Sequence, residues 1–103
     1  MKRMNERAPL PCPEMESIRR DIDALDQKLV ALLAERQKLI AAAGKVKPSR
    51  DTVRDEARIE EVVTLVKKEA AKVGLAEGIA EPVWRQLIES SIAYEYGVFD
   101  KRQ

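Results

Sequence analysis

The chain has 103 residues, with 19 Lys+Arg against 18 Asp+Glu and a formal net charge of +1. That length allows one small domain, and so even a charge balance gives nucleic-acid or membrane-surface binding no general support. His is absent, which removes the commonest general base and metal ligand; aromatics at 4% argue against an all-β fold, and 36% charged residues suit helices with solvated faces.

Met1 to Glu14 reads as a flexible tail, because Pro9, Pro11 and Pro13 alternate through it and oppose helix. Cys12 is the single cysteine, so no internal disulfide can form and a reducing compartment is natural. No apolar run follows the charged first residues, and no stretch is long enough to span a membrane. A cytoplasmic location is expected, with no secretory signal and, at this length, no fused regulatory or synthase domain. The folded domain is expected over residues 15–103.

Helix 1 is predicted to start at Glu16 or Ser17, with Asp21 and Asp23 near its positive dipole end. Ile18, Ile22, Leu25, Leu29, Leu32, Arg36, Leu39, Ala43 and Lys47 follow at steps of three and four, which marks one helical face. Pro48 stops the pattern near Val46, because proline disfavours α-conformation in the residue before it. The resulting helix, roughly 30 residues or about 45 Å long, exceeds what a three-helix monomer of this size can cover. An apolar stripe left uncovered marks a partner surface, and a two-fold homodimer pairing the long helices is the economical answer.

Lys47 to Asp51 forms a short polar loop. Thr52 is the expected N-cap of helix 2, with Asp55 in the capping-box position. Ile59, Val62, Val63, Val66, Ala70 and Val73 form its apolar set, and Gly74 is a natural stop. Residues 75–81 connect to helix 3, with Pro82 placed near its first turn. Val83, Trp84, Leu87, Ile88, Ile92 and Phe99 are the apolar set of helix 3.

Several polar residues fall on these apolar faces. Arg36 and Lys47 point within roughly 20° of each other, about 16 Å apart along helix 1. Cations on an inward stripe need an anion. A core carboxylate for Arg36, with Lys47 merely ending the helix, satisfies the pattern equally well. Arg19 lies about 25 Å before Arg36 and about 100° round the axis. It is either a solvated surface arginine or one that reaches Arg36's neighbourhood only from an antiparallel partner helix. Asp55 and Arg58 are spaced as an ordinary surface pair. Ser91 and Glu95 share a stripe with Trp84, Ile88 and Phe99. A buried Ser can bond its own helix backbone, but a buried Glu needs a cation or a proton. Together Arg36, Lys47, Ser91 and Glu95, with Asp55 and Arg58 nearby, describe a cationic pocket with one carboxyl. No nucleophile–base pair, phosphate loop or metal-ligand cluster accompanies it. Such a pocket suits a small di-anion and acts by holding and by electrostatics.

Ile18-Arg19-Arg20-Asp21-Ile22-Asp23-Ala24-Leu25-Asp26, Leu32-Leu33-Ala34-Glu35-Arg36 and Gly44-Lys45-Val46-Lys47 resemble the all-helical chorismate mutase family. So do Val53-Arg54-Asp55 with Arg58, and Leu87-Ile88-Glu89-Ser90-Ser91. The match covers about Ile18 to Phe99. The resemblance implies an all-α fold of three helices per chain, one long and N-terminal, in an interlocked homodimer whose sites use both chains. It implies chorismate as substrate, prephenate as product, and neither cofactor nor metal. By position, Arg19 would hold a substrate carboxylate in the partner's site and Arg36 one in its own. Lys47 would contact a carboxylate and the ether oxygen, which Glu95 would also face. Asp55 and Arg58 would lie near the ring hydroxyl, and Ser91 near the carboxylate region. Lys47, Glu95 and Arg36 are thus the expected catalytic residues.

Two departures from the family pattern have consequences. Many members carry Gln where this chain has Glu95, so Glu95 must carry a proton to help, and kcat/KM is expected to fall as pH rises. Well-studied mutases often place Glu after the position of Arg58, where this chain has Ile59. Isochorismate-pyruvate lyase, a sister activity giving salicylate and pyruvate, has an apolar residue there and is the alternative reading. A non-catalytic helical dimerisation module is the alternative of another class.

Overall fold

The computed structural model describes residues 12–102. Three α-helices make up the fold: α1, Pro13–Val46; α2, Glu56–Val73; and α3, Glu77–Lys101, with a 3₁₀ turn at Arg50–Thr52 between the first two. No strand occurs among the described residues, and none of their helices is long and apolar enough to cross a membrane. The all-α expectation holds. The described residues divide into two units, 12–35 and 36–102, and α1 contributes to both.

In the first unit, α1 begins three to four residues earlier than expected, at Pro13. Proline is tolerated at the first helical position, where its missing N–H would have no partner anyway. Glu16 N–H bonds the Cys12 carbonyl at 3.0 Å, and Glu14 and Glu16 complement the dipole in the first turn. Most of the expected tail, Met1 to Pro11, lies outside the described residues, and its last members Pro13 and Glu14 are already helical. Ile18, Ile22, Leu25, Leu29 and Leu32 are 49–60% exposed, so the apolar stripe is uncovered within the chain.

In the second unit, α2 and α3 pack antiparallel around Val53, Ile59, Val63, Ile88 and Ile92, with Val62, Trp84, Tyr96 and Phe99 against them. Two forked ion pairs cross the seam: Arg54 to Glu89 at 3.0 and 2.9 Å, and Arg85 to Glu60 at 3.0 Å twice. Gly74 ends α2 in the left-handed region (φ 79°), and its N–H bonds the Ala70 carbonyl, as its sequence position implied. Three local expectations change. The N-cap of α2 is Asp55, whose side chain accepts the Arg58 N–H, while Thr52 closes the 3₁₀ turn. Pro82 lies inside α3, one turn beyond its start. Leu39 and Val73 are more than 70% exposed; both sit just off the faces that pack.

Candidate active site

The end of α1, the 3₁₀ turn, the start of α2 and the second half of α3 enclose a cavity of about 420 Å³. Helical spacing decides which side chains enter it. Arg36, Ile40, Ala43 and Lys47 recur at steps of four, three and four along α1 and its end, and on α3 Ile88 with Ile92 and Ser91 with Glu95 are each four apart on adjoining rows. Ile40, not Leu39, continues the α1 stripe. Asp55, Arg58, Ile59 and Val62 form the α2 wall, and Thr52 and Val53 close the loop side. Six of the seven expected site residues therefore meet in one place. Arg19 is exposed on α1 in the first unit and does not line the cavity.

Arg36 is half-buried, and its Nη1 donates to Ser91 Oγ at 2.8 Å. No core carboxylate pairs with it among the described residues. Burial first, and the charge of Arg58 second, hold its guanidinium below the usual value. Two cations that disfavour each other across a cavity suit an anion placed between them.

Lys47 Nζ stands 2.9 Å from Glu95 Oε2 and donates to the Val53 carbonyl at 3.3 Å. Glu95 is only 4% exposed. Its Oε2 lacks a hydrogen bond of good alignment despite the nearby ammonium, so the contact is one of charge without direction. A carboxyl oxygen held in that state inside a cavity can take a better-aligned partner.

Close packing brings this pair together. A Cβ at Gly44 would stand 3.2 Å from each of Glu95 Cγ, the Glu95 carbonyl oxygen and Val98 Cγ1. Gly44 thereby lets α1 approach α3 at the level of Glu95, three residues before Lys47. At the opposite wall Asp55 accepts the Arg58 N–H at 3.1 Å, and Arg58 pairs with Glu61 at 2.5 Å; Asp55 and Arg58 are both exposed. Asp55 thus has a helix-capping role independent of any ligand.

Two features at or beside the cavity had no foothold in the side-chain pattern, and a third was passed over. The Val53 carbonyl is backbone and leaves no mark on residue type. Glu61 looked like any solvated carboxylate. Ile40 was readable from the four-residue step after Arg36.

A helical cavity that gathers three cationic side chains around one buried carboxyl has the chemistry to hold a small, multiply anionic molecule. Residues 18–96 match the family model described as chorismate mutase type II, and the chain belongs to that family. It is 31% identical over 90 residues to the T-protein of Haemophilus influenzae, covering 79% of this chain and 22% of that protein. It is 45% identical over 56 residues to the bifunctional chorismate mutase/prephenate dehydratase of Escherichia coli K12, covering 50% of this chain and 14% of that protein. The same figures relate it to the enzyme of that name from Shigella flexneri. The chain therefore spans less than a quarter of the length of these relatives.

Proposed function

We propose that this chain is a chorismate mutase, an isomerase that rearranges chorismate to prephenate on the route to aromatic amino acids. The observation that carries the reading is the pairing of half-buried Lys47 with buried Glu95 in a cavity that also holds Arg36. Family membership favours this over a lyase acting on isochorismate or a non-catalytic module.

The rearrangement is unimolecular and pericyclic, so neither proton transfer nor a covalent intermediate is needed. The protein must fold the enolpyruvyl side chain over the ring and stabilise negative charge growing on the ether oxygen. Arg36, steadied by Ser91, holds one carboxylate with forked donors. Lys47 and Glu95 face the ether oxygen, and the Lys47 ammonium supplies the positive charge beside the developing oxyanion. Asp55 and Arg58 hold the ring end, with Ile59 and Val62 as its apolar wall.

The working form is a cytoplasmic homodimer. The uncovered stripe from Ile18 to Leu32 supports it, because such a surface is stable when paired with its like. In that dimer Arg19 of the partner supplies the second carboxylate clamp. Incubating purified protein with chorismate and, separately, isochorismate tests the reading. Prephenate from chorismate is expected. Salicylate and pyruvate from isochorismate alone would assign the lyase reaction, and no product from either would leave the non-catalytic module.

A further inference from the structure

The carbonyls at the end of a helix have no intrahelical donor, and a buried or functional end needs one from elsewhere. In α1 the Lys47 N–H serves the Ala43 carbonyl at 3.0 Å. The next donor in line is residue 48, and Pro48 has no N–H to offer Gly44. Ser49, in line for Lys45, has already turned to extended backbone at φ −152° and ψ 160°. Arg102, just past the end of α3, fills both gaps: its Nη1 donates to the Gly44 carbonyl at 3.2 Å and the Lys45 carbonyl at 3.0 Å.

Arg102 is itself fixed. Its guanidinium lies over the Phe99 ring, 3.7 Å from the centroid, and its own N–H bonds the Phe99 carbonyl at 3.2 Å. Phe99 packs against the buried core. A cation at a helix C-terminus also meets the negative end of the dipole. The two carbonyls it holds belong to Gly44, where α1 touches Glu95, and to Lys45, two residues before Lys47.

We propose that Arg102 is a positioning residue: it caps α1 from the far end of α3 and thereby sets the Lys47 ammonium against Glu95. The proposal rests on the chorismate mutase reading for its kinetic consequence, and on geometry alone for its structural one. Lys47 acts on charge that develops in the transition state, so its displacement lowers kcat more than it raises KM.

The test is R102M, which keeps an apolar stem on Phe99 and removes every donor, with R102Q as the milder second variant. R102M is expected to lose ~10-fold in kcat with KM changed less than about twofold, as small misplacements of a catalytic group do. R102Q should fall between it and the unchanged protein, and R102K should restore part of the loss. The NMR signals of the Lys47 Cε and the Glu95 carboxyl carbon should move in R102M, while the melting temperature shifts little. Unchanged kcat in R102M and R102Q with unmoved signals overturns the proposal, whatever happens to stability. A protein that never converts chorismate fails the functional reading first. The positioning claim then stands or falls on the two NMR signals.

Discussion

Gly44 of α1 packs directly against Glu95 of α3, and the absent Cβ of the glycine is what admits the carboxyl's own Cγ. G44A is therefore expected to push Glu95 away from Lys47. Overpacking of this kind costs about 1–3 kcal/mol, offset by up to ~1 kcal/mol of helix propensity. The melting temperature should fall modestly and kcat/KM clearly. G97A is the control: nothing lies within 4 Å of its new methyl, so it should stabilise α3 by about 0.5–1 kcal/mol and leave activity alone. Thermal melts and steady-state kinetics of both variants separate the two effects.

In the proposed reaction Lys47 is the fixed cation beside the reacting oxygen. K47A should lower kcat about 10²–10³-fold, the scale of removing one preorganised donor from an oxyanion. A kcat within twofold of the unchanged protein would remove Lys47 from the chemistry. It would also favour a module whose cavity binds without catalysing.

E95Q keeps the shape of the Glu95 side chain and supplies a neutral donor toward the proposed ether oxygen, whereas E95A supplies neither. E95Q is expected to keep most of the kcat/KM and E95A to lose about 10²-fold, the scale of removing one preorganised donor. Equal losses in the two variants would contradict the assignment.

Complementation tests the shared site. R19A and K47A chains are each expected to be inactive alone. Mixed and allowed to exchange, they form heterodimers in which one site has both Arg19 and Lys47 intact. Recovery toward about half of the activity per mixed dimer is expected; no recovery would place Arg19 outside the site.

Acid should weaken the α2–α3 seam. Glu60, Glu89 and Glu81 are held below the ordinary carboxylate value of 4.5, chiefly by hydrogen bonds from Arg85, Arg54 and again Arg85. A carboxylate lowered in the folded state adds stability above its unfolded value and loses it as pH falls through the folded one. Urea midpoints should therefore hold at neutral pH and decline below about 4.5. Glu60 and Glu89 are exposed and Glu81 is half-buried, so added salt should shrink the effect most at the first two.

Much of the site was legible because a helix converts residue number into direction. Arg36 and Lys47 stood out as cations on an apolar stripe, Ser91 and Glu95 as polar breaks on another, and counting by three and four placed all four on facing surfaces. The same counting misjudged Leu39, since steps of three and four from Arg36 lead to neighbouring faces and only packing selects Ile40. Thr52 and Asp55 are both good capping residues, and the 3₁₀ turn at Arg50–Thr52 decided between them. Arg102 was invisible for another reason: its partners are backbone carbonyls, and the need arises from an N–H that Pro48 lacks. The role proposed for Arg19 needs a second chain, and no count along one chain can test it.

The forks that tie α2 and Arg54 just ahead of it to α3 add little to stability, being exposed. Their effect lies in alignment. Sliding α3 by one helical turn, about 5.4 Å, would break Arg54–Glu89 and Arg85–Glu60 together, while the apolar seam of branched side chains would tolerate the shift far better. That slip would carry Ser91 past Arg36 and Glu95 past Lys47. The forks thus act as an index mark, fixing which residues of α3 stand opposite the cations of α1.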